Sequence, residues 1–266
     1  AGAASASEGW PTMVSIPKVG PATGFSPLPI GPEVRVFVLT GAGISAESGI
    51  RTFRDANGLW EQHRVEDVAT PEGFARDPAL VWRFYSERRR QAEGCLPNAA
   101  HLALARVGEA LGDRLFLCTQ NVDPLHERAG SRGVVHMHGE LSATRCEGCD
   151  RPAFHDEELY LEAPPRCGCG ARLRPGVVWF GEVPLHLPRI FAALSACDVF
   201  VTIGSSGAVH PAAGFVTHVR NEPSIRTGRH ARTVYVGPER PENAYAFDEV
   251  RLGKAGEIVP GLFAPG

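Results

Sequence analysis

The chain has 266 residues, with 27 lysines and arginines against 30 aspartates and glutamates, and a formal net charge of −3. That balance gives no general attraction for nucleic acid or anionic lipid, and no stretch approaches the roughly 20 apolar residues that span a bilayer. A nucleic-acid partner and a membrane-embedded chain are therefore not expected, and the length suits one large α/β domain with an insertion or two small domains.

Residues 1–32 are rich in Ala, Gly, Ser and Pro without periodicity and read as a flexible N-terminal arm with no secretory-signal pattern. The run Val34–Thr40 that follows is short, β-branched and nearly uncharged, which predicts a buried parallel strand. It leads into Gly41-Ala42-Gly43-Ile44-Ser45-Ala46-Glu47-Ser48-Gly49-Ile50. Glycines let the backbone turn sharply and approach a ligand, and Ser45 and Ser48 offer hydroxyls where a helix would begin, so a pyrophosphate cradle at a helix N-terminus is expected. Ala46 stands where the dinucleotide fingerprint G-x-G-x-x-G needs its third glycine, which disfavours an ordinary hydride-transfer dehydrogenase.

Residues 51–60 are polar, glycine-bearing and punctuated by aromatics, the makeup of an ordered but movable loop over a ligand. Asp77-Pro78 is a helix start. The helix it opens carries Val81, Phe84, Tyr85 and Arg88 on one face, with Arg89 and Arg90 expected on a solvated one. An arginine on the apolar stripe has two readings. It either snorkels to water, or forms with Tyr85 a phenol–guanidinium clamp for a ligand carboxylate. Asn98 caps a second helix ending at Gly112-Asp113, and the strand Leu115–Thr119 delivers Gln120-Asn121-Val122-Asp123 to the edge of the sheet where ligands sit. A short run at Val134-Val135 leads to His136-Met137-His138.

Seven cysteines are present, and four of them form the pairs Cys146/Cys149 and Cys167/Cys169. Two close thiolate pairs on glycine-bearing turns can close a tetrahedron round one structural Zn²⁺, with no open position for water. Cys95, Cys118 and Cys197 lie in apolar surroundings and read as small core hydrophobes. Beyond the cysteines, strands are expected at Val177–Phe180, Val199–Ile203 and Thr233–Gly237, the last of these closing the core, with a helix near Pro188–Ala196. Gly204-Ser205-Ser206-Gly207, with a helical stretch after Pro211, forms a second candidate phosphate cradle.

GAGISAESGI with Thr52-Phe53-Arg54, TQNVD with Leu125–Gly130, HMHGEL, the paired cysteines, VVWFGE and GSSGAVHPAAGF stand in the order found in sirtuins, and the chain resembles that family from about Val34 to Gly214. The resemblance implies an NAD-dependent protein-lysine deacylase with an α/β fold. A Rossmann-like parallel sheet with helices on both faces (33–54, 98–140 and 177–266) would be joined by a small domain made of a helical module with the cofactor loop (55–97) and a zinc-binding module (141–176). Position by position, His138 would be the general base, with Asn121 and Asp123 also catalytic. Gln120, Asn121, Val122 and Asp123 would hold the nicotinamide end of NAD. Gly41, Ala42, Gly43, Glu47, Phe53, Arg54, Trp60 and Gly237 would line the nucleotide, and Gly204, Ser205 and Ser206 its phosphates and ribose. Val177, Phe180 and Gly181 would flank the substrate peptide by strand addition. His136 is given a structural role.

In the family mechanism nicotinamide departs, the acyl oxygen attacks the oxocarbenium-like sugar, and a ribose hydroxyl deprotonated by the base attacks in turn, giving free lysine and O-acyl-ADP-ribose. In the sirtuin class that removes acidic acyl groups, a Tyr-x-x-Arg pair grips the distal carboxylate, and Ala46 is taken as the small residue leaving room beside it. Tyr85 and Arg88 then imply succinyl-, malonyl- or glutaryl-lysine substrates, with acetyl-lysine slower. ADP-ribosyl transfer and a catalytically weak zinc-containing binding module are the alternatives; His138, Asn121 and Asp123 argue against lost activity. A monomer in the cytoplasm is expected, or in mitochondria if a targeting segment has been removed. Four departures from the family pattern bear on the site: Arg51 in place of proline, Pro124 after Asp123, Gly237-Pro238 at the adenosine end, and the one-residue gap between Cys167 and Cys169.

Overall fold

The computed structural model describes residues 24–51, 59–60 and 63–264. Its centre is a six-stranded sheet in the order Glu249–Leu252, Arg232–Gly237, Val199–Ile203, Val36–Thr40, Leu115–Thr119, Val135–His136. Every neighbouring pair is parallel. VFVLT and VFVTI are buried along their whole length, as runs that are β-branched on both faces must be. Alternation then divides the core. Val36, Val38, Val201 and Val234 pack with Leu104 and Ile258 from helices Ala99–Leu111 and Ala255–Ile258. Phe37, Leu39, Phe200 and Tyr235 pack with Ile190, Leu194, Phe215 and Val216 from helices Leu187–Leu194 and Phe215–Asn221. The chain leaves Val36–Thr40 for Leu115–Thr119 on one side, while Val199–Ile203 flanks it on the other. The carboxyl ends of these two central strands therefore open a crevice at the switch point of the sheet.

A second lobe is built on a three-stranded antiparallel sheet of Phe154–His155, Gly139–Cys146 and Leu173–Val177. The helices Pro71–Arg76 and Pro78–Glu93 pack on it through one shared core that includes Phe74, Trp82, Phe84, Tyr85, Leu141 and Leu173. Pro78–Glu93 begins as its sequence predicts, with the Asp77 side chain accepting from the Leu80 amide at 2.9 Å and proline in the first turn. Cys118 and Cys197 are buried, and burial pushes both thiols up to about 12, so they are inert core groups. Cys95 is buried as well.

Several expectations are corrected. No α-helix follows the first glycine turn: the chain makes two 3₁₀ turns, Ala42–Ile44 and Ala46–Ser48, neither with a side-chain cap. Of the predicted run Val177–Phe180, only Val177 is in a strand, and that strand belongs to the antiparallel sheet. Residues 1–23 of the predicted arm lie outside the described residues, but its remainder is built into the fold. Leu28–Pro29 pairs in parallel with Phe263–Ala264, and Leu28 and Ile30 are buried. Thr233–Gly237 does not close the sheet, since Glu249–Leu252 pairs beyond it. That edge strand is anchored by a buried Arg251, which bonds Glu249 Oε1 at 2.8 Å and the Ser26 carbonyl at 2.9 Å, so no apolar run announces it.

Arg89 is not solvated but buried. Its guanidinium donates to the Leu141, Glu158 and Ala143 carbonyls and to Thr144 Oγ1, with Asp156 Oδ2 3.7 Å away. It ties the long helix to the antiparallel strands of the second lobe, a position only a fully hydrogen-bonded charge can occupy. Arg90 is exposed, as expected.

Candidate active site

A cavity of about 530 Å³ lies over the switch point and runs to the second lobe, within the usual size of a small-molecule site. Gly41, Ala42, Gly43, Gly204, Ser205 and Ser206 line one end; Gln120, Asn121, Val122, Asp123 and His138 line the middle; Tyr85, Val177, Phe180 and Gly181 line the wall toward the second lobe.

The glycines serve each other as much as a ligand. The Gly41 amide donates to the Ile203 carbonyl at 2.9 Å and the Gly43 amide to the Gly204 carbonyl at 2.8 Å. A Cβ on Gly43 would sit 2.8 Å from Gly204 Cα. One on Gly204, at φ +65, would sit 2.5 Å from the Ile44 amide nitrogen. The two loops thus interlock backbone to backbone, which only residues without side chains allow. These committed amides, and the missing helix, replace the expected helix-dipole cradle with a cleft floored by two crossed loops.

Beneath them runs a buried polar ladder. Asn121 Nδ2 donates to the Gly41 carbonyl (3.2 Å) and to Ser45 Oγ (3.1 Å), and Ser45 Oγ donates to Asp123 Oδ2 at 3.0 Å. Ser45 is therefore spent on Asp123 rather than on a helix cap. Burial pushes the Asp123 carboxyl upward, against the Leu125 amide and Ser45 hydroxyl that favour its charge. Pro124 does no harm here: it precedes the short helix Leu125–Arg128, where no amide is needed, and the Leu125 amide donates to Asp123 Oδ1 at 3.1 Å. Gln120 Nε2 reaches across to Ser205 Oγ at 2.9 Å and joins the two central loops.

The two histidines of HMH face different neighbours. His138 Nδ1 lies 3.1 Å from the Gln120 carbonyl. A carbonyl only accepts, so Nδ1 carries the proton and Nε2 the lone pair. Burial lowers the pKa of His138 and outweighs the Gln120 carbonyl, so the ring is neutral near pH 7. His136 is pinned between the Asn121 carbonyl (2.9 Å) and Glu127 Oε1 (3.0 Å), away from the cavity wall. Burial lowers its pKa, but the Glu127 carboxylate more than compensates and raises it. A further pair lies deeper. His126 Nε2 is 2.9 Å from Thr40 Oγ1, whose hydroxyl bonds Thr119, which in turn accepts from the Asn121 amide. The His101 and His126 rings meet edge to face at 4.9 Å.

Other predicted residues fall elsewhere. Glu47 is turned from the cavity, its Oε1 accepting from the Gly256 amide at 2.9 Å. Ala46 is exposed on the second 3₁₀ turn and lies off the wall; the small residue in the wall with Tyr85 is Ala69, 3% exposed. Gly237 is buried at a strand end, while Tyr235, Pro238 and Glu239 line that part of the cavity. Arg88 is half-buried, its guanidinium carbon 5.2 Å from the Phe84 ring centroid, and is not in the wall. Phe53 and Arg54 lie outside the described residues; Trp60 belongs to the short strand Leu59–Trp60. Sequence reasoning missed Trp179, Tyr235 and Ala69. Trp179 stood inside the VVWFGE motif, and its place there is the one signal that pointed to it.

The four paired cysteines converge. Sulfurs at the ordinary Zn–S length of about 2.3 Å from one ion form a tetrahedron with edges of about 3.8 Å. Here Cys146 and Cys169 stand 3.6 Å apart, Cys149 and Cys167 3.9 Å, and all four sulfurs lie within 4.8 Å of one another. The one-residue gap is taken up by a turn closed by the Gly170 amide on the Cys167 carbonyl at 2.9 Å, with Gly170 at φ +89. The set fits one structural zinc, and none of the four cysteines lines the cavity. Cys146→Ser is expected to abolish zinc retention and lower Tm by several degrees, read by metal analysis and calorimetry. Full zinc retention with unchanged Tm overturns the assignment.

The Sir2 family model matches residues 41–211. A protein of Salmonella typhimurium named NAD-dependent protein deacylase is 54% identical over 231 residues, covering 85% of this chain and 81% of that one. One of Caulobacter vibrioides with the same name is 52% identical, covering 85% and 94%. A solved Sir2 homologue in complex with NAD superposes with a TM-score of 0.76 at 41% identity, covering 86% of this chain and 88% of that one. With its crossed glycine loops, its polar ladder at the switch point and its four-cysteine lobe, this chain belongs to the Sir2 family, the sirtuins.

Proposed function

We propose that this sirtuin, an NAD-dependent protein deacylase, prefers lysines whose acyl group ends in a carboxylate (succinyl, malonyl or glutaryl) and removes acetyl groups more slowly. Tyr85 carries the reading. Its phenol is 2% exposed, yet it forms part of the cavity wall. Burial holds that phenol protonated, well above its usual range, while Arg174 and Arg88 both favour negative charge at its oxygen. A protonated phenol with two guanidiniums acting on it favours a carboxylate at this wall over an acetyl methyl, though Glu182 opposes them in part. Arg88 acts in this reading through its charge one helical turn beyond Tyr85, and Ala69 leaves the room that a longer acyl chain needs.

The remaining roles belong to the same proposal. NAD, when bound, supplies the electrophilic sugar carbon. Gln120, Asn121 and Asp123 hold its nicotinamide end, and the two glycine loops hold its phosphates and adenosine side. His138 Nε2, bare and neutral, takes a ribose hydroxyl proton. Val177, Phe180 and Gly181 flank the peptide; Phe180 is 45% exposed at the cavity.

The test is one lysine peptide in acetyl, malonyl, succinyl and glutaryl forms, incubated with NAD and followed by mass spectrometry. The acidic forms are expected to react with kcat/KM about tenfold or more above acetyl, the yield of one charge-assisted hydrogen bond. Equal rates across the panel overturn the preference. Nicotinamide release without any acylated peptide favours ADP-ribosyl transfer instead.

A further inference from the structure

The residue that opens helix Ala99–Leu111 also grips the first glycine loop. Asn98 Oδ1 accepts from the Ala100 amide at 3.0 Å, the ordinary use of an asparagine at a helix start. Its Nδ2 donates to the Ile44 carbonyl at 2.7 Å and to Ser48 Oγ at 3.0 Å. The two ends of the side chain cannot be exchanged, because the Ala100 amide only donates and the Ile44 carbonyl only accepts. The Asn98 backbone amide donates in turn to His101 Nδ1 at 3.3 Å, which holds the capping residue itself in place. A helix cap needs only the oxygen. The nitrogen is engaged with the loop.

Ile44 ends the 3₁₀ turn Ala42–Ile44 and Ser48 ends the turn Ala46–Ser48, so one amide group spans both. The same loop lines the cavity through Gly41, Ala42 and Gly43, whereas Asn98 is not in the lining. Asn98 therefore bears on a ligand there only through the loop. That loop has little slack. The Gly43 amide donates to the Gly204 carbonyl at 2.8 Å, and a Cβ on Gly41 would sit 2.9 Å from Ser205 Cα. A small shift of either turn thus disturbs the crossing of the two loops.

We infer that Asn98 is a positioning residue for NAD: its Nδ2 fixes the first glycine loop in the shape that receives the phosphate and adenosine side of the dinucleotide. The inference rests on the reading above, in which the crossed loops hold that side of NAD. Without the donor the loop is in place in a smaller fraction of molecules, and apparent affinity falls by that fraction.

The test compares Asn98→Asp with Asn98→Ala. Aspartate caps a helix as well as asparagine does but lacks the donor, and alanine lacks both cap and donor. ADP-ribose dissociation constants are measured by calorimetric titration, and nicotinamide product-inhibition constants in the deacylation assay. Thermal scans check that each variant is folded at the titration temperature. Both variants are expected to weaken ADP-ribose about fivefold or more, the worth of about one hydrogen bond. Nicotinamide inhibition is expected to stay unchanged, since Gln120, Asn121 and Asp123 are assigned that end. If Asn98→Asp binds ADP-ribose as the wild type does while Asn98→Ala does not, Asn98 is a helix cap only and the inference falls. A loss shared equally by ADP-ribose and nicotinamide marks a general loosening of the crevice and also overturns it. If nicotinamide inhibition weakens and ADP-ribose binding does not, the placement of NAD on the crossed loops falls and takes the inference with it. Asn98→Asp keeps the cap, so it carries the test alone if Asn98→Ala does not fold.

Discussion

Replacing His138 by alanine is expected to lower deacylation by roughly 10²–10⁴-fold, the usual contribution of a positioned general base. The geometry gives the ring a single protonation pattern: Nδ1 is committed to the Gln120 carbonyl, so only Nε2 can accept a proton. Burial holds the ring below the ordinary histidine range. Its acid limb in a pH–kcat/KM profile is therefore expected below about pH 6.5, with the rate rising through that limb and then level, because the neutral ring is the active form. Profiles of wild type and His138→Ala with one succinyl peptide decide the matter. A loss under tenfold, or an acid limb that survives in the variant, assigns the proton transfer elsewhere.

The second large effect concerns Arg88. Arg88→Met keeps an unbranched stem against Phe84 while removing the charge. The succinyl kcat/KM is expected to fall by about tenfold or more, the reach of a unit charge about one helical turn away at an effective dielectric of about 20, and the acetyl value by far less. The loss is expected mainly in KM, since the distal carboxylate is bound equally in the ground and transition states. Equal losses on both peptides reduce Arg88 to a structural arginine packed on Phe84.

Much of this site was legible because its chemistry sits at strand ends. Val36–Thr40, Leu115–Thr119 and Val199–Ile203 are uninterrupted apolar runs, and each delivers its motif to the same edge of the sheet. What was not legible depends on distant partners. Ser45 reads as a helix cap until Asp123, 78 residues away, is seen to take its hydroxyl. Arg89 reads as solvated until carbonyls of a separate strand surround it. Ala46 and Ala69 are indistinguishable as letters, and only the folded wall selects the second. Residues 249–252 form no apolar run because one of their inward groups is an arginine paired with Glu249.

The edge-to-face imidazoles of His101 and His126 carry a cost in acid. Burial lowers them to about 4 and about 3, so both stay uncharged in the native protein at pH values where an unfolded chain protonates them. Between pH 6.5 and 4 the unfolded state therefore binds more protons. Each ring then withdraws about 1.4 kcal/mol of stability per unit of acidification. His136, whose pKa moves the opposite way, adds stability on acidification only above pH 6.5, where the folded protein already holds its proton and the unfolded chain does not. Because His126 hangs from Thr40 and Thr119, and Thr119 holds the Asn121 amide, acidification is expected to loosen the floor of the crevice as the molecule approaches unfolding. Urea midpoints measured from pH 7 to pH 4 should fall steadily, and His126→Asn should flatten that slope.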